Sequence, residues 1–267
     1  MIKKYKIGLI GFGCMGQALV QGLLSSGNVG PNEIIVAGRG DALGSAKKMN
    51  VEIGSTEDCC SESELLILSV RPQQFEDIHE VLKHFDGTTV LSVMAGIDDR
   101  RLATTLTADT QIIRVMPTLT VSSGKGICVW FSKRRDVSEN VRLLLRSWGA
   151  NIRSEKESLV DDSAAVCACA VGYYFYFLQL LFNQAKAMGF NELDARLLVG
   201  EGFASTARLI SEGAPEFSDA VREVATPGGM TEAGLAVFRK LKFEEMIGDV
   251  VTAVVKRGWE LSTANLF

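Results

Sequence analysis

Over about the first 130 residues, short apolar runs alternate with amphipathic stretches, and beyond that the alternation stops. The runs YKIGLIG (5–11), EIIVAG (33–38), LLILSV (65–70), TTVLSVMAG (88–96), QIIRVMP (111–117) and GICVWF (126–131) are almost unbroken in aliphatic and β-branched side chains. Such continuity predicts strands covered on both faces, since a strand with one wet face alternates apolar and polar. The segments 15–26, 41–49, 73–84 and 98–106 lie between them and carry apolar residues at helical spacing. Regular strand–helix alternation predicts a doubly wound α/β sheet. From about 138 the helical period dominates, over 138–148, 157–187, 191–211, 216–225, 230–240 and 243–264. The chain therefore reads as an α/β domain over 1–155 followed by an all-helical domain over 156–267.

Composition narrows the function classes. Of 267 residues, 47% are hydrophobic and 22% charged, with a net charge of −4, so no bulk attraction to nucleic acid or an anionic membrane is expected. The lysines and apolar residues at the N-terminus suggest a leader at first sight. Glycines break that run early, and a buried first strand is the better reading. Six cysteines are present, and Cys167 and Cys169 have no histidine near them in the sequence to complete a metal site, so no metal is expected. Reduced thiols packed as small hydrophobes in a cytoplasmic protein fit better. Residues 163–185 lack any charge and are long enough to span a bilayer. Gln179, Asn183 and Gln184 within them, and the lack of a second such segment, favour a helix buried against a partner subunit. His79 and His84 read as surface or hydrogen-bond-satisfied residues of an amphipathic helix.

Candidate chemistry begins at GLIGFGCMGQALVQGLL. Gly11, Gly13 and Gly16 fall in G-x-G-x-x-G spacing between the first strand and the first helix, with Met15 inside the motif. The first glycine permits the tight turn, the second lets a pyrophosphate approach the backbone, and the third lets helix and strand pack closely. A Rossmann-type dinucleotide site is expected, with the phosphates at the positive end of the helix. At the end of the second strand an NAD enzyme usually carries a carboxylate for the ribose hydroxyl. Here VAGRGD offers Gly38 and then Arg39, which suits a 2′-phosphate, so NADPH is favoured with NADH as the alternative.

Taken together, GFGCMG, LSVRPQQF, LSVMAGI, IIRVMP and EVATPGGMTEAGL resemble the pyrroline-5-carboxylate reductases, in order and over essentially the whole chain. The resemblance implies NADPH-dependent reduction of a cyclic imine to proline by a homodimer or larger homo-oligomer joined through the helical domain. It implies that Val70, Arg71 and Pro72 lie beside the cofactor's ribose and phosphates, and Ala95 and Gly96 near its nicotinamide. It also implies that the loop at Gly228 and Gly229 offers backbone amides to the substrate carboxylate, and that the Thr231 hydroxyl approaches the substrate nitrogen.

Four segments depart from the family pattern. MPTLT places Thr118 where the family has asparagine; CACAVG (167–172) replaces a glycine- and proline-containing helix start, which predicts a continuous helix there; PGGMT carries Met230; and Thr56 stands where an asparagine is usual. Three readings follow. The chain reduces pyrroline-5-carboxylate, or it reduces a different cyclic imine, or it binds the cofactor without catalysis. A hydroxy-acid dehydrogenase of related build would need a lysine or histidine at the start of the long helix, and none is there.

Overall fold

The computed structural model describes residues 5–213 and 216–263; positions 1–4, 214–215 and 264–267 lie outside the described residues, including the last position of the helix expected over 243–264. The apolar runs form β1 (Tyr5–Ile10), β2 (Ile34–Ala37), β4 (Ser63–Leu68), β5 (Thr89–Ser92), β6 (Gln111–Pro117) and β7 (Gly126–Phe131). Two further strands, β3 (Glu52–Ile53) and β8 (Gly149–Arg153), complete an eight-stranded sheet in the order β3-β2-β1-β4-β5-β6-β7-β8. All neighbours are parallel except β6 and β7. The chain leaves β1 for β2 on one side and returns to β4 on the other, which opens a crevice at the carboxyl ends of those strands. This is the doubly wound Rossmann arrangement.

Side chains alternate across the sheet, as strand geometry requires. Leu9, Val36, Ile67, Leu91 and Ile113 enter one core with Leu19, Leu23 and Trp148, whereas Ile10, Ile35, Leu66, Leu68 and Val90 enter the other with Phe75 and Leu102. Each fully buried aliphatic side chain contributes roughly 1.5–3 kcal/mol, so both faces supply stability. The helices over these faces include α1 (Cys14–Ser26), α2 (Ala42–Lys48), α3 (Thr56–Glu62), α4 (Phe75–Leu82), α5 (Asp99–Leu102) and α6 (Glu139–Ser147). The helix α3 has no long apolar period to announce it. It is started by a capping box, with the Asp58 amide donating to Ser55 Oγ at 3.0 Å and the Ser55 amide to Asp58 Oδ2 at 2.8 Å.

The expectation of one helix over 157–187 is corrected by the structure. Helix α7 (Ser158–Asp162) passes into a 3-10 turn (Ser163–Ala165), the chain turns through 166–169, and α8 (Ala170–Ala187) starts afresh. The Cys169 amide reaches back five residues to the Ala164 carbonyl at 2.8 Å, which resets the helical ladder although every residue there is apolar or small. CACAVG therefore keeps a break without the family's glycines.

Two compact units emerge. One comprises the chain up to Cys169, past the boundary expected near 155, together with the residues from Val254 onward; the other is Ala170–Ala253. The second unit holds α8, α9 (Glu192–Ser211), α10 (Phe217–Val224), α11 (Met230–Lys240) and the start of α12 (Phe243–Thr263). Within it, Tyr174 of α8 meets Phe203 of α9 with ring centroids 5.5 Å apart.

Candidate cofactor and substrate sites

A cleft of about 430 Å³ opens at the carboxyl ends of β1, β2 and β4. Its floor is the glycine loop. The amides of Gly11 and Phe12 both donate to the Ala37 carbonyl, at 2.9 and 3.2 Å, and so tie the loop to the end of β2. Gly11 adopts φ 101°, and a Cβ there would stand 2.5 Å from the Ser69 carbonyl, so conformation and space both demand glycine. A Cβ on Gly16 would lie 2.3 Å from the Gly11 carbonyl oxygen. Gly13 differs, because nothing lies within 4 Å of where its Cβ would be. It caps α1, whose first turn receives no side-chain cap. Open space over uncapped helix amides fits a pyrophosphate.

Arg39, Thr56, Val70 and Arg71 share the wall of this cleft with Gly11 and Gly13. The Arg39 side chain is 82% exposed and pairs loosely with Asp77 at 4.0 Å, and Arg71 is also exposed, so both guanidinium groups are accessible to an anion. Met15 packs against the core instead, and Pro72 opens the short 3-10 turn Pro72–Gln74 next to Arg71. Ala95 and Gly96 lie outside the cleft lining, in the loop after β5, the strand beside β4. Sequence reasoning missed Ser69. Its hydroxyl is buried in the cleft wall without a hydrogen-bond partner, a state costly enough to suggest a ligand group. A serine ending a buried strand gives no signal of that kind in the sequence.

The Pro-Gly-Gly loop belongs to the other compact unit and joins α10 to α11. Gly228 adopts φ 73°. Its amide donates to Glu232 Oε2 at 2.6 Å, and the Gly229 amide donates to the Thr226 carbonyl at 2.9 Å. Both loop amides expected to face a substrate carboxylate therefore already have acceptors. The amides of Met230 and Thr231 follow in the first turn of α11, which has no side-chain cap. Thr231 is exposed, and Met230 is 95% exposed. Thr118 is turned inward: its hydroxyl pairs with that of Thr120 at 2.8 Å and accepts from the Ile127 amide at 3.0 Å. Thr118 thus braces the turn after β6.

Comparison with known proteins then sorts the two halves. Residues 157–261 match the family model for pyrroline-5-carboxylate reductase dimerisation, and residues 6–96 match that for NADP oxidoreductase, coenzyme F420-dependent. The pyrroline-5-carboxylate reductase of Vibrio alginolyticus is 29% identical over 266 residues, covering 96% of this chain and 97% of that protein. That of Haemophilus influenzae is 28% identical with the same coverage. The chain is similar to pyrroline-5-carboxylate reductases over nearly its whole length, and residues 157–261 carry that family's dimerisation region. It is an NAD(P)H-dependent oxidoreductase by the same evidence. Solved structures agree with the family's fold. A pyrroline-5-carboxylate reductase from Coxiella burnetii superposes with a TM-score of 0.81 at 26% identity, covering 97% of this chain and 99% of that one. The Plasmodium falciparum pyrroline carboxylate reductase with NADP bound gives 0.85 at 19% identity, covering 98% and 100%.

Proposed function

We propose that this chain reduces pyrroline-5-carboxylate to proline with NADPH, as a cytoplasmic homodimer or larger homo-oligomer joined through its helices, with no nucleic-acid or membrane partner. The observation that carries the reading is the glycine-floored cleft, in which the open space at Gly13 and the orphaned Ser69 hydroxyl fit a dinucleotide. Gly11, Gly13 and the first turn of α1 hold the pyrophosphate, Gly16 and Met15 pack the helix behind it, and Val70 and Pro72 flank the ribose. Arg39 and Arg71 take the 2′-phosphate, with no carboxylate at the end of β2 to favour NADH instead. NADPH bound in this way supplies the hydride.

The chain's own share of the chemistry is orientation. A protonated cyclic imine is already electrophilic, so what remains is to hold its carbon in reach and fix the face attacked. Thr231 holds the proton on the substrate nitrogen. The carboxylate sits at the Gly228–Gly229 loop, held by the first-turn amides of Met230 and Thr231, with the Gly228 amide joining them when Glu232 gives it up. Self-association is supported by the match to the dimerisation family and by the exposed Phe175, Tyr176 and Leu180 on α8.

A second reading is favoured by Glu232. Its carboxylate on the Gly228 amide competes with an anionic substrate for the loop, which favours an imine without a carboxylate. One assay separates the two: loss of NADPH absorbance with pyrroline-5-carboxylate and with unsubstituted 1-pyrroline. The first reading expects turnover of the carboxylate and at least about a tenfold fall in kcat in Thr231→Ala. Faster turnover of 1-pyrroline assigns the second reading, and binding of NADPH without turnover of either substrate refutes both.

A further inference from the structure

The loop after β5 is gripped by an ion-pair cluster on the neighbouring strand and at the start of α7 and along it. Arg114 lies on β6 and is 2% exposed. Its Nη2 and Nη1 donate to the two oxygens of Asp161, at 2.9 and 3.1 Å. Nη2 also donates to the Met94 carbonyl at 3.0 Å, and Nη1 to Glu157 Oε1 at 3.4 Å. The same carboxylates accept from the loop and from the start of α5: the Gly96 amide donates to Asp161 Oδ1 at 3.1 Å, and the Asp99 amide to Glu157 Oε1 at 2.6 Å. The loop and the helix start are held at Met94, Gly96 and Asp99 by two acids and one buried base.

A buried guanidinium is tolerated only with its partners in place, and a bidentate carboxylate fixes angle as well as distance. Apolar packing would hold β6 against α7 equally well without specifying where a loop amide stands. Here each acid is shared between the guanidinium and one backbone amide, so moving either acid moves the loop. Gly96, at φ 71°, is where the chain turns between those grips. The loop follows β5, next to β4, whose own following residues Ser69, Val70 and Arg71 line the cleft.

We propose that Arg114, Asp161 and Glu157 are positioning residues that set the Met94–Gly96 loop at the nicotinamide end of the cofactor. The assignment rests on the proposed reductase function, because only a bound dinucleotide gives that end a meaning. Hydride transfer is sensitive to such placement, a displacement of about 1 Å costing on the order of a hundredfold in rate.

The test compares the full-length parent with Asp161→Asn, Glu157→Gln and the charge-keeping Asp161→Glu. Three quantities are read: amide exchange of the peptide containing Gly96 without cofactor, the emission spectrum of bound NADPH, and kcat against KM. In Asp161→Asn, exchange at Gly96 accelerates while peptides from β2 and β4 keep the parent rate. The bound-NADPH emission shifts, and kcat falls at least about tenfold with the KM for NADPH within about threefold. Asp161→Glu recovers part of each. A merely structural pair would instead raise exchange across the sheet and leave kcat of the folded fraction intact; that result overturns the proposal. If Asp161→Asn does not fold, Glu157→Gln decides by the same criteria with smaller changes. If the parent reduces no imine, the function fails, and exchange at Gly96 with NADPH emission still decides the clamp: both moving supports it, neither moving refutes it.

Discussion

Strand β4 and helix α8 are written in the same alphabet. LLIL and FYFLQLLF are both runs dominated by large apolar side chains, yet Leu66, Ile67 and Leu68 are completely buried whereas Phe175 is 69% and Tyr176 64% exposed in the single chain. Among the described residues of Ala170–Ala253, the buried hydrophobic residues are Ala170 and Ala195. The strand finds its cover within its own unit, from helices on both sides of the sheet. The helix does not, and the dimerisation family matched over 157–261 supplies the reason. Hydrophobicity states that a face will be covered. Chain connectivity decides whether the cover comes from the same molecule.

That contrast breaks most visibly at β4. Leu66→Ala is expected to cost about 2–5 kcal/mol in a urea titration, with a midpoint independent of protein concentration. A concentration-dependent loss would mean that the sheet, too, depends on association. Phe175→Ala comes next. An exposed side chain in a free monomer changes stability by less than about 0.5 kcal/mol, whereas an interface aromatic costs about 1–2 kcal/mol and makes the thermal midpoint follow concentration. Sedimentation of the variant at several concentrations separates the cases, and unchanged association in Phe175→Ala removes that residue from the interface.

The smallest effect concerns thiols. Burial pushes Cys59 and Cys128 up to about 12 from 9.0, while Cys14 at the start of α1 is exposed. At pH 8, a thiol reagent followed by mass spectrometry is expected to label Cys14 in the native protein and Cys59 and Cys128 only after unfolding. A folded-state value above the ordinary one favours the protonated fold. The two buried thiols therefore contribute fully below pH 9.0, and the contribution is lost as the pH rises toward about 12. Native labelling of Cys59 at the rate of Cys14 would show that the sheet opens locally.

Much of the cleft could be read before any coordinates, because its chemistry is local. Gly11, Gly13 and Gly16 carry their meaning in their spacing, and Arg39 in its place after β2. The pieces that escaped reading share one trait: their surroundings exist only once the chain has folded. Ser69 is unremarkable until the cleft forms around it. Glu232 reads as a helix first-turn acid until its carboxylate is found on the Gly228 amide. The strands β3 and β8 are short or polar and declare themselves only by pairing with β2 and β7.

By itself, then, the sequence determined what short-range physics controls: buried strands from continuous apolar runs, helices from period, the tight turn between β1 and α1 from glycine spacing, and a second half rich in apolar helix faces. Tertiary structure decided what depends on residues far apart along the chain. It paired β8 with β7 and β3 with β2, and brought Arg114 within 3.1 Å of Asp161, 47 positions away. Such pairings are invisible in a linear pattern because a buried charge selects its partner by three-dimensional proximity, and no periodicity of the backbone encodes that distance.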